Sequence, residues 1–197
     1  MKRIFDILIS SIGVIFLMLI FLLISILIKL DSEGKIFYFQ ERIGEDAKPF
    51  RLMKFRTMYS NSDKKGLLTV GMRDSRITRI GYYLRKYKLD ELPQLINVLI
   101  GDMSLVGPRP EVRKYVNQYS EEDLIVLSVR PGITDYASLK FINENELLSM
   151  SENPEETYIK EILPIKLKLN KQYLKEHNIW IDLKIMFETV IKIIDLN

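Results

Sequence analysis

The 197 residues are 47% hydrophobic, carry a net charge of +3 and contain no cysteine, enough chain for one domain and a membrane segment but not for two full domains. Without cysteine, thiol catalysis, disulfides and cysteine-based zinc sites are excluded. The single histidine, His177, lies in a polar stretch, reads as a surface residue and argues against a Ser-His-Asp triad, so any enzymatic nucleophile is sought among Asp, Glu, Lys, Ser, Thr and Tyr.

In chain order, residues 7–28 form an uncharged run of 22, long enough as a helix to cross a hydrocarbon core of about 30 Å. A cleaved signal peptide competes, but the run exceeds a typical h-region, and Lys29-Leu30-Asp31-Ser32-Glu33 offers no small-residue cleavage site. Lys2 and Arg3 precede the run while Lys29 and Lys35 follow it, so both ends resemble cytoplasmic ends. A hairpin entering and leaving one leaflet satisfies that, although Ser10-Ser11, Gly13 and Ser25 are its only breakers and a bent helix must resatisfy its freed backbone groups.

Residues 36–39 and 50–57 are strand-like, with Gly44-Glu45-Asp46-Ala47-Lys48-Pro49 turning between them, so a small hairpin is predicted. Lys54 and Arg56 share one face of its second strand, as phosphate contacts or as a solvated face. Residues 60–74 read as a polar loop and residues 75–88 as a helix capped by Asp74, with Ile77, Ile80 and Leu84 on one side. Arg76, Arg79 and Lys86 on its other side suit either anionic headgroups or plain solvent. Residues 89–101 then form a helix with Asp90 as N-cap, Pro93 in the first turn and Gly101 ending it. A helix N-terminus also stabilises an anion, so one carboxylate of Asp90-Glu91 can carry a phosphoryl group while its neighbour holds a divalent cation.

Charge supports that use. Eleven Lys and Arg lie in residues 51–89 against Asp63 and Asp74, a net of +9, whereas residues 120–160 carry a net of −6; such segregation points to a polyanionic ligand. Arg85 lies five residues before Asp90, close enough in sequence to help bind an anion there. Arg109-Pro110 and Arg130-Pro131 restrict two more arginines to extended backbone, suited either to gripping phosphate or to solubilising a turn. Toward the C-terminus, a polar loop at residues 149–154 precedes a helix from about residue 155, which Pro164 restarts. A final helix from about residue 179 carries the stripe Ile179, Leu183, Met186, Val190 and Ile194; core packing is the default reading and docking on a membrane surface the alternative.

Six motifs in one order carry a resemblance. They are Lys29-Leu30-Asp31-Ser32, Gln40-Glu41-Arg42-Ile43-Gly44, Lys54-Phe55-Arg56-Thr57-Met58, Leu89-Asp90-Glu91-Leu92-Pro93-Gln94, the run from Gly101 through Gly107-Pro108-Arg109-Pro110, and Val129-Arg130-Pro131-Gly132-Ile133-Thr134. Over residues 2–134 the chain resembles the bacterial sugar transferase family, the monotopic polyprenyl-phosphate phosphoglycosyl transferases. The resemblance implies that a UDP-sugar donor gives its sugar-1-phosphate to the polyprenyl phosphate acceptor undecaprenyl phosphate, releasing UMP, as a first step in envelope or secreted glycan synthesis. It implies that Asp90 is the nucleophile, forming a phosphosugar-aspartate, that Glu91 helps hold the cofactor Mg2+, and that Lys54, Arg56, Arg85, Arg109 and Arg130 contact phosphate and nucleotide. It also implies a catalytic domain on the cytoplasmic face of the bacterial inner membrane, in contact with membrane lipid.

Two departures matter. The usual Ser-Pro break in the membrane segment is replaced by Phe16-Leu17-Met18-Leu19-Ile20-Phe21, and the usual continuation after Thr134 by Asp135-Tyr136-Ala137-Ser138, so the usual sugar assignments do not transfer. The fold class expected is α+β, mostly helical, with a small β-hairpin, an N-terminal membrane-inserted helix, re-entrant by the resemblance, and amphipathic interfacial helices. A membrane-inserted segment with its junction (1–34) would lead into a cytoplasmic catalytic domain (35–197). A homo-oligomer is compatible with this. A membrane-anchored basic binding or scaffold protein without catalysis is the rival reading. Nucleic acid is not an expected partner, because no nucleic-acid-binding module is recognisable. Within enzymes, direct transfer in a ternary complex competes with the two-step route.

Overall fold

A computed structural model describes residues 1–60, 62 and 74–195; most of the loop expected at residues 60–74 lies outside these. Among the described residues the architecture is mostly helical with two small sheets. In order come α1 (Lys2–Asp31), β1 (Phe37–Ile43), β2 (Pro49–Phe55), α2 (Arg79–Lys86), α3 (Gln94–Ile100), β3 (Ser104–Val106), α4 (Arg113–Val116), β4 (Gly132–Thr134), α5 (Tyr136–Lys140), α6 (Glu144–Ser149), α7 (Pro154–Thr157), α8 (Leu163–Glu176) and α9 (Ile179–Asp195).

The apolar run makes α1, a single helix of 30 residues and therefore about 45 Å long. It is long and apolar enough to cross a membrane. The helix is continuous, with no proline inside it. Both ends of α1 are tied to the same body. At its start Lys2 Nζ lies 2.5 Å from Asp182 of α9, Arg3 donates to the Val98 and Leu99 carbonyls at the end of α3 (2.6 and 3.2 Å), and Asp6 accepts from Ser104 Oγ at 2.8 Å. At its end Asp31 accepts from the Ile80 backbone N–H at 3.0 Å, while Arg56 donates to the Ser32 carbonyl at 2.7 Å. The outward side, including Ile4, Leu8, Ile15, Phe16, Leu19 and Leu23, stays exposed.

The hairpin forms as expected, antiparallel, with Phe37 opposite Phe55 and Tyr38 opposite Lys54. The helix expected from residue 75 starts later. Ile77 bridges Met58 and the Thr78 N–H donates to the Thr57 carbonyl, which holds that stretch extended. Thr78 is the cap, its Oγ1 accepting from the Gly81 N–H at 3.0 Å, and Asp74 turns back to Arg76 instead. Three apolar clusters result: Val98, Met103, Val106 and Ile185 behind α3 and α9; Val112, Tyr115, Leu148 and Leu163 under α6 and α8; and Ile24, Ile28, Phe55 and Leu84 where α1 meets the hairpin and α2.

The second sheet, β3 parallel to β4, was not foreseen. Val106 pairs with Thr134 and Ser104 with Gly132, and the Gly132 N–H donates to the Pro108 carbonyl at 3.0 Å. A Cβ on Gly132 would overlap the backbone N and O of Gly107. Gly132→Ala is therefore expected to wedge the strands apart at the cost of overpacking, about 1–3 kcal/mol, and to lower the midpoint of thermal unfolding. A melt superimposable on wild type would show that the approach is loose.

The final helix corrects its predicted face. Asp182 and Ile185 of α9 are buried, whereas Leu183, Val190 and Ile194 of the predicted stripe are exposed together with Trp180, Phe187 and Ile191. Inward-facing polar groups find distant partners: Asp182 accepts from Tyr173 OH at 2.7 Å, and Thr189 Oγ1 lies 2.7 Å from Thr134 Oγ1. The helix can thus turn its more apolar side outward.

Candidate active site

Lys54 leaves the end of β2, while α2 ends at Lys86 and Lys88, with left-handed backbone (φ 56°), leads the chain into a 3-10 turn over Leu89–Glu91. Asp90 is inside that turn and does not cap α3. The cap position is Pro93, with no side-chain acceptor, which a residue without an N–H tolerates. The predicted stop is observed, with Gly101 at φ 103°.

The two adjacent carboxylates have opposite surroundings. Glu91 accepts from Lys54 Nζ at 2.7 Å and from both terminal nitrogens of Arg109, one at 3.2 Å. The carboxylate of Asp90, a residue only 7% exposed, makes no hydrogen bond or ion pair among the described residues. Burial pushes Asp90 above its ordinary range, Lys54 opposing the rise and Glu91 adding to it. Burial acts upward on Glu91 too, but Arg109 and then Lys54 outweigh it and hold the carboxyl well below its usual range. Glu91 in return raises Arg109, whereas burial lowers Lys54 despite the carboxylate beside it. This pattern leaves one carboxylate ionised and fixed, and one unengaged and more basic than usual.

The remaining expected residues divide. Arg85 Nε donates to Thr57 Oγ1 at 2.9 Å and has Asp90 as its strongest favourable charge. Arg109 is held by its own backbone N–H, which donates to Asp135 Oδ2 at 3.1 Å. Arg56 spends its guanidinium on carbonyls and the hydroxyl around Ser32 and Glu33 at the end of α1. Arg130 lies in a separate small pocket with Lys2 and Arg3, its Nε 3.0 Å from the Gly101 carbonyl. His177 is exposed, as expected.

Lys54, Arg85, Lys88, Asp90, Glu91 and Arg109 are among the residues that line a cavity of about 1120 Å³. Among the described residues no three His, Asp or Glu converge as a metal cage. The pair nevertheless fits Mg2+, which takes hard oxygen donors from one or two carboxylates and completes its shell with water and substrate phosphate. Sequence reasoning missed Asp135, Arg42, Glu111 and Lys166 at this cavity; Arg42 stands in a quoted motif, but no charge run or spacing singles it out.

A family model described as bacterial sugar transferase matches residues 1–195. The chain is 36% identical, over 96% of its length, to the UDP-N-acetylgalactosamine-undecaprenyl-phosphate N-acetylgalactosaminephosphotransferase of Aeromonas hydrophila. It is 34% identical, over 98%, to the UDP-glucose:undecaprenyl-phosphate glucose-1-phosphate transferase of Escherichia coli (strain K12). The chain spans 42% and 40% of those two proteins, but 83% of the exopolysaccharide production protein ExoY of Rhizobium meliloti (strain 1021), to which it is 32% identical over 96% of its own length.

Proposed function

The chain belongs to the bacterial sugar transferase family, and from that premise we propose that it moves a sugar-1-phosphate from a UDP-sugar to undecaprenyl phosphate, releasing UMP and starting an envelope or secreted glycan. The observation that carries the reading is the contrast between Asp90, buried and unengaged, and Glu91, held by Lys54 and Arg109.

Asp90 is the nucleophile. Its carboxylate oxygen bonds to the phosphorus that bears the sugar as the bridging P–O bond breaks, and the electron pair leaves on UMP. An oxygen of the lipid phosphate then attacks the same phosphorus and returns the carboxylate to Asp90. Lys54, Arg85 and Arg109 lie where donor phosphates would meet them, and fixed cations stabilise the charge that develops in transfer. Glu91, with Asp90 beside it, would hold Mg2+, which when bound neutralises phosphate oxygens. Arg56 donates to the Ser32 carbonyl and Arg130, through Nε, to the Gly101 carbonyl, which favours a structural role for each.

The active site is placed on the cytoplasmic face of the inner membrane, where UDP-sugars are. Both ends of α1 are tied to one body, which favours Lys2 and Asp31 on the same side of the lipid, and the exposed apolar faces of α1 and α9 supply an area to immerse. Screening UDP-sugars with undecaprenyl phosphate and Mg2+ is expected to give UMP release with at least one donor, with parallel double-reciprocal lines for the two-step route. Intersecting lines would replace it by direct transfer, and silence with every donor would refute the transferase reading.

A further inference from the structure

The same cavity has a second group of lining residues that the chemistry above does not use: Arg42 of β1, Glu111, Glu144 of α6, Tyr158, and Lys166 and Asn170 of α8. Arg42 and Glu144 are close enough to Arg109 to feel its charge, and the part of the cavity that this group lines is the chamber considered next. Tyr158 opens a π-helical turn over Tyr158–Ile162, which ends two residues before Pro164, whose missing N–H suits a local widening of the helix. Lys166 Nζ lies 2.5 Å from Glu144 Oε2, 3.8 Å from Glu111 Oε1 and 3.3 Å from Tyr158 OH. Tyr158 OH donates to Glu111 at 2.5 Å, and Arg42 stands 3.7 Å from the same carboxylate.

Such a network is costly to bury. Replacing buried ion pairs by apolar residues is often neutral or stabilising, and the apolar cluster of Val112, Leu148, Leu163 and Leu167 is close by. The same cavity also holds unpaired polar atoms: Oδ1 of Asn170, a residue 6% exposed, and Oγ of Ser138 have no hydrogen-bond partner among the described residues. Buried polar groups left without partners call for an explanation, and a hydrogen-bonding ligand supplies one.

The charges say which kind. Arg42 and Lys166 are each tied to carboxylates, while Asp135 and Glu146 add further negative charge to the lining, so a second anion is disfavoured here. An uncharged group with several hydroxyls or an amide would find acceptors in the carboxylates and a donor in Lys166. A pyrimidine base fits less well, because the Tyr158 ring packs on Tyr115 at 4.6 Å between centroids and beneath Lys166 Nζ, which leaves little open face for stacking.

We propose that this chamber receives the sugar of the donor as an uncharged, hydroxyl-bearing ring, with Glu144, Lys166 and Asn170 setting which sugar is accepted. The proposal rests on the sugar-1-phosphate transfer proposed above. With phosphates at Lys54 and Arg109, the ring carried on the attacked phosphorus enters the adjoining chamber.

The test compares UDP-glucose, UDP-N-acetylglucosamine and UDP-glucuronic acid as donors for the full chain in membranes, with undecaprenyl phosphate as acceptor. Wild type is expected to disfavour the glucuronic acid donor by about 100-fold in kcat/KM relative to the better neutral one. Glu144→Gln and, separately, Asn170→Ala should shift the ratio between the two neutral donors by about 10-fold, the scale on which pocket contacts discriminate. The inhibition constant of UMP should not move. A preference for UDP-glucuronic acid, an equal loss with both neutral donors in both variants, or a UMP constant that shifts with the sugar ratio would overturn the chamber assignment alone. Wild type that turns over none of a full panel of UDP-sugars would overturn the transfer reading and this assignment with it.

Discussion

Asp90→Asn is expected to abolish transfer while making the protein more resistant to heat. The rate falls by several orders of magnitude because an amide cannot replace the attacking carboxylate. Stability moves the other way, because the folded protein holds Asp90 buried and without a hydrogen bond or ion pair among the described residues. Its folded-state pKa is raised, by burial foremost, so the associated stability is present at low pH and lost as pH rises through the folded value. Asparagine carries no such loss. The gain in melting temperature should therefore be clear at pH 7 and shrink below the ordinary aspartate value of 3.8, where wild type is neutral as well. Mass spectrometry of protein quenched with donor and Mg2+ but no lipid acceptor supplies the chemical half: a sugar-phosphate adduct on Asp90 in wild type and none in the variant. An adduct that survives in Asp90→Asn, or maps to another residue, would sink the assignment.

Glu91→Gln removes the same single charge with the opposite effect on stability. It leaves Lys54 and Arg109 facing a neutral amide in a largely buried site, and breaking one partner of a buried pair costs about 3 kcal/mol or more. The carboxyl is held well below its ordinary value of 4.5, so its contribution is fully present above that value and is lost only as pH falls through the depressed one. Wild type and variant should thus differ throughout the neutral range in denaturant unfolding. Transfer should slow, and the Mg2+ concentration giving half-maximal rate should rise. A variant with unchanged unfolding would remove the structural part of the argument, and an unchanged Mg2+ requirement would remove the metal role.

Which parts were legible in sequence follows from how local each cause is. The apolar run of α1, the hairpin and the glycine stop of α3 depend on neighbouring residues and emerge as read. The cationic surroundings of Asp90-Glu91 were visible as a charge excess, but not how the cations divide: Lys54 and Arg109 both choose Glu91. Arg56 and Arg130 belong to the same kinds of motif, yet their partners are carbonyls at Ser32 and Gly101, and sequence does not advertise which carbonyls a fold leaves unpaired. The face of α9 was misread because Asp182 and Thr189 are satisfied by Tyr173 and Thr134, pairings that exist only after the chain has closed on itself.

The clamping of α1 at both ends has a consequence for how the protein is made. The helix is synthesised before Ser104 and Asp182, which lie 98 and 180 positions beyond their partners Asp6 and Lys2, and contacts of such sequence separation form late. Until they form, its apolar surface needs another cover, and a bilayer supplies one. If the segment enters lipid as proposed, the cavity is completed on a chain already held at the membrane surface.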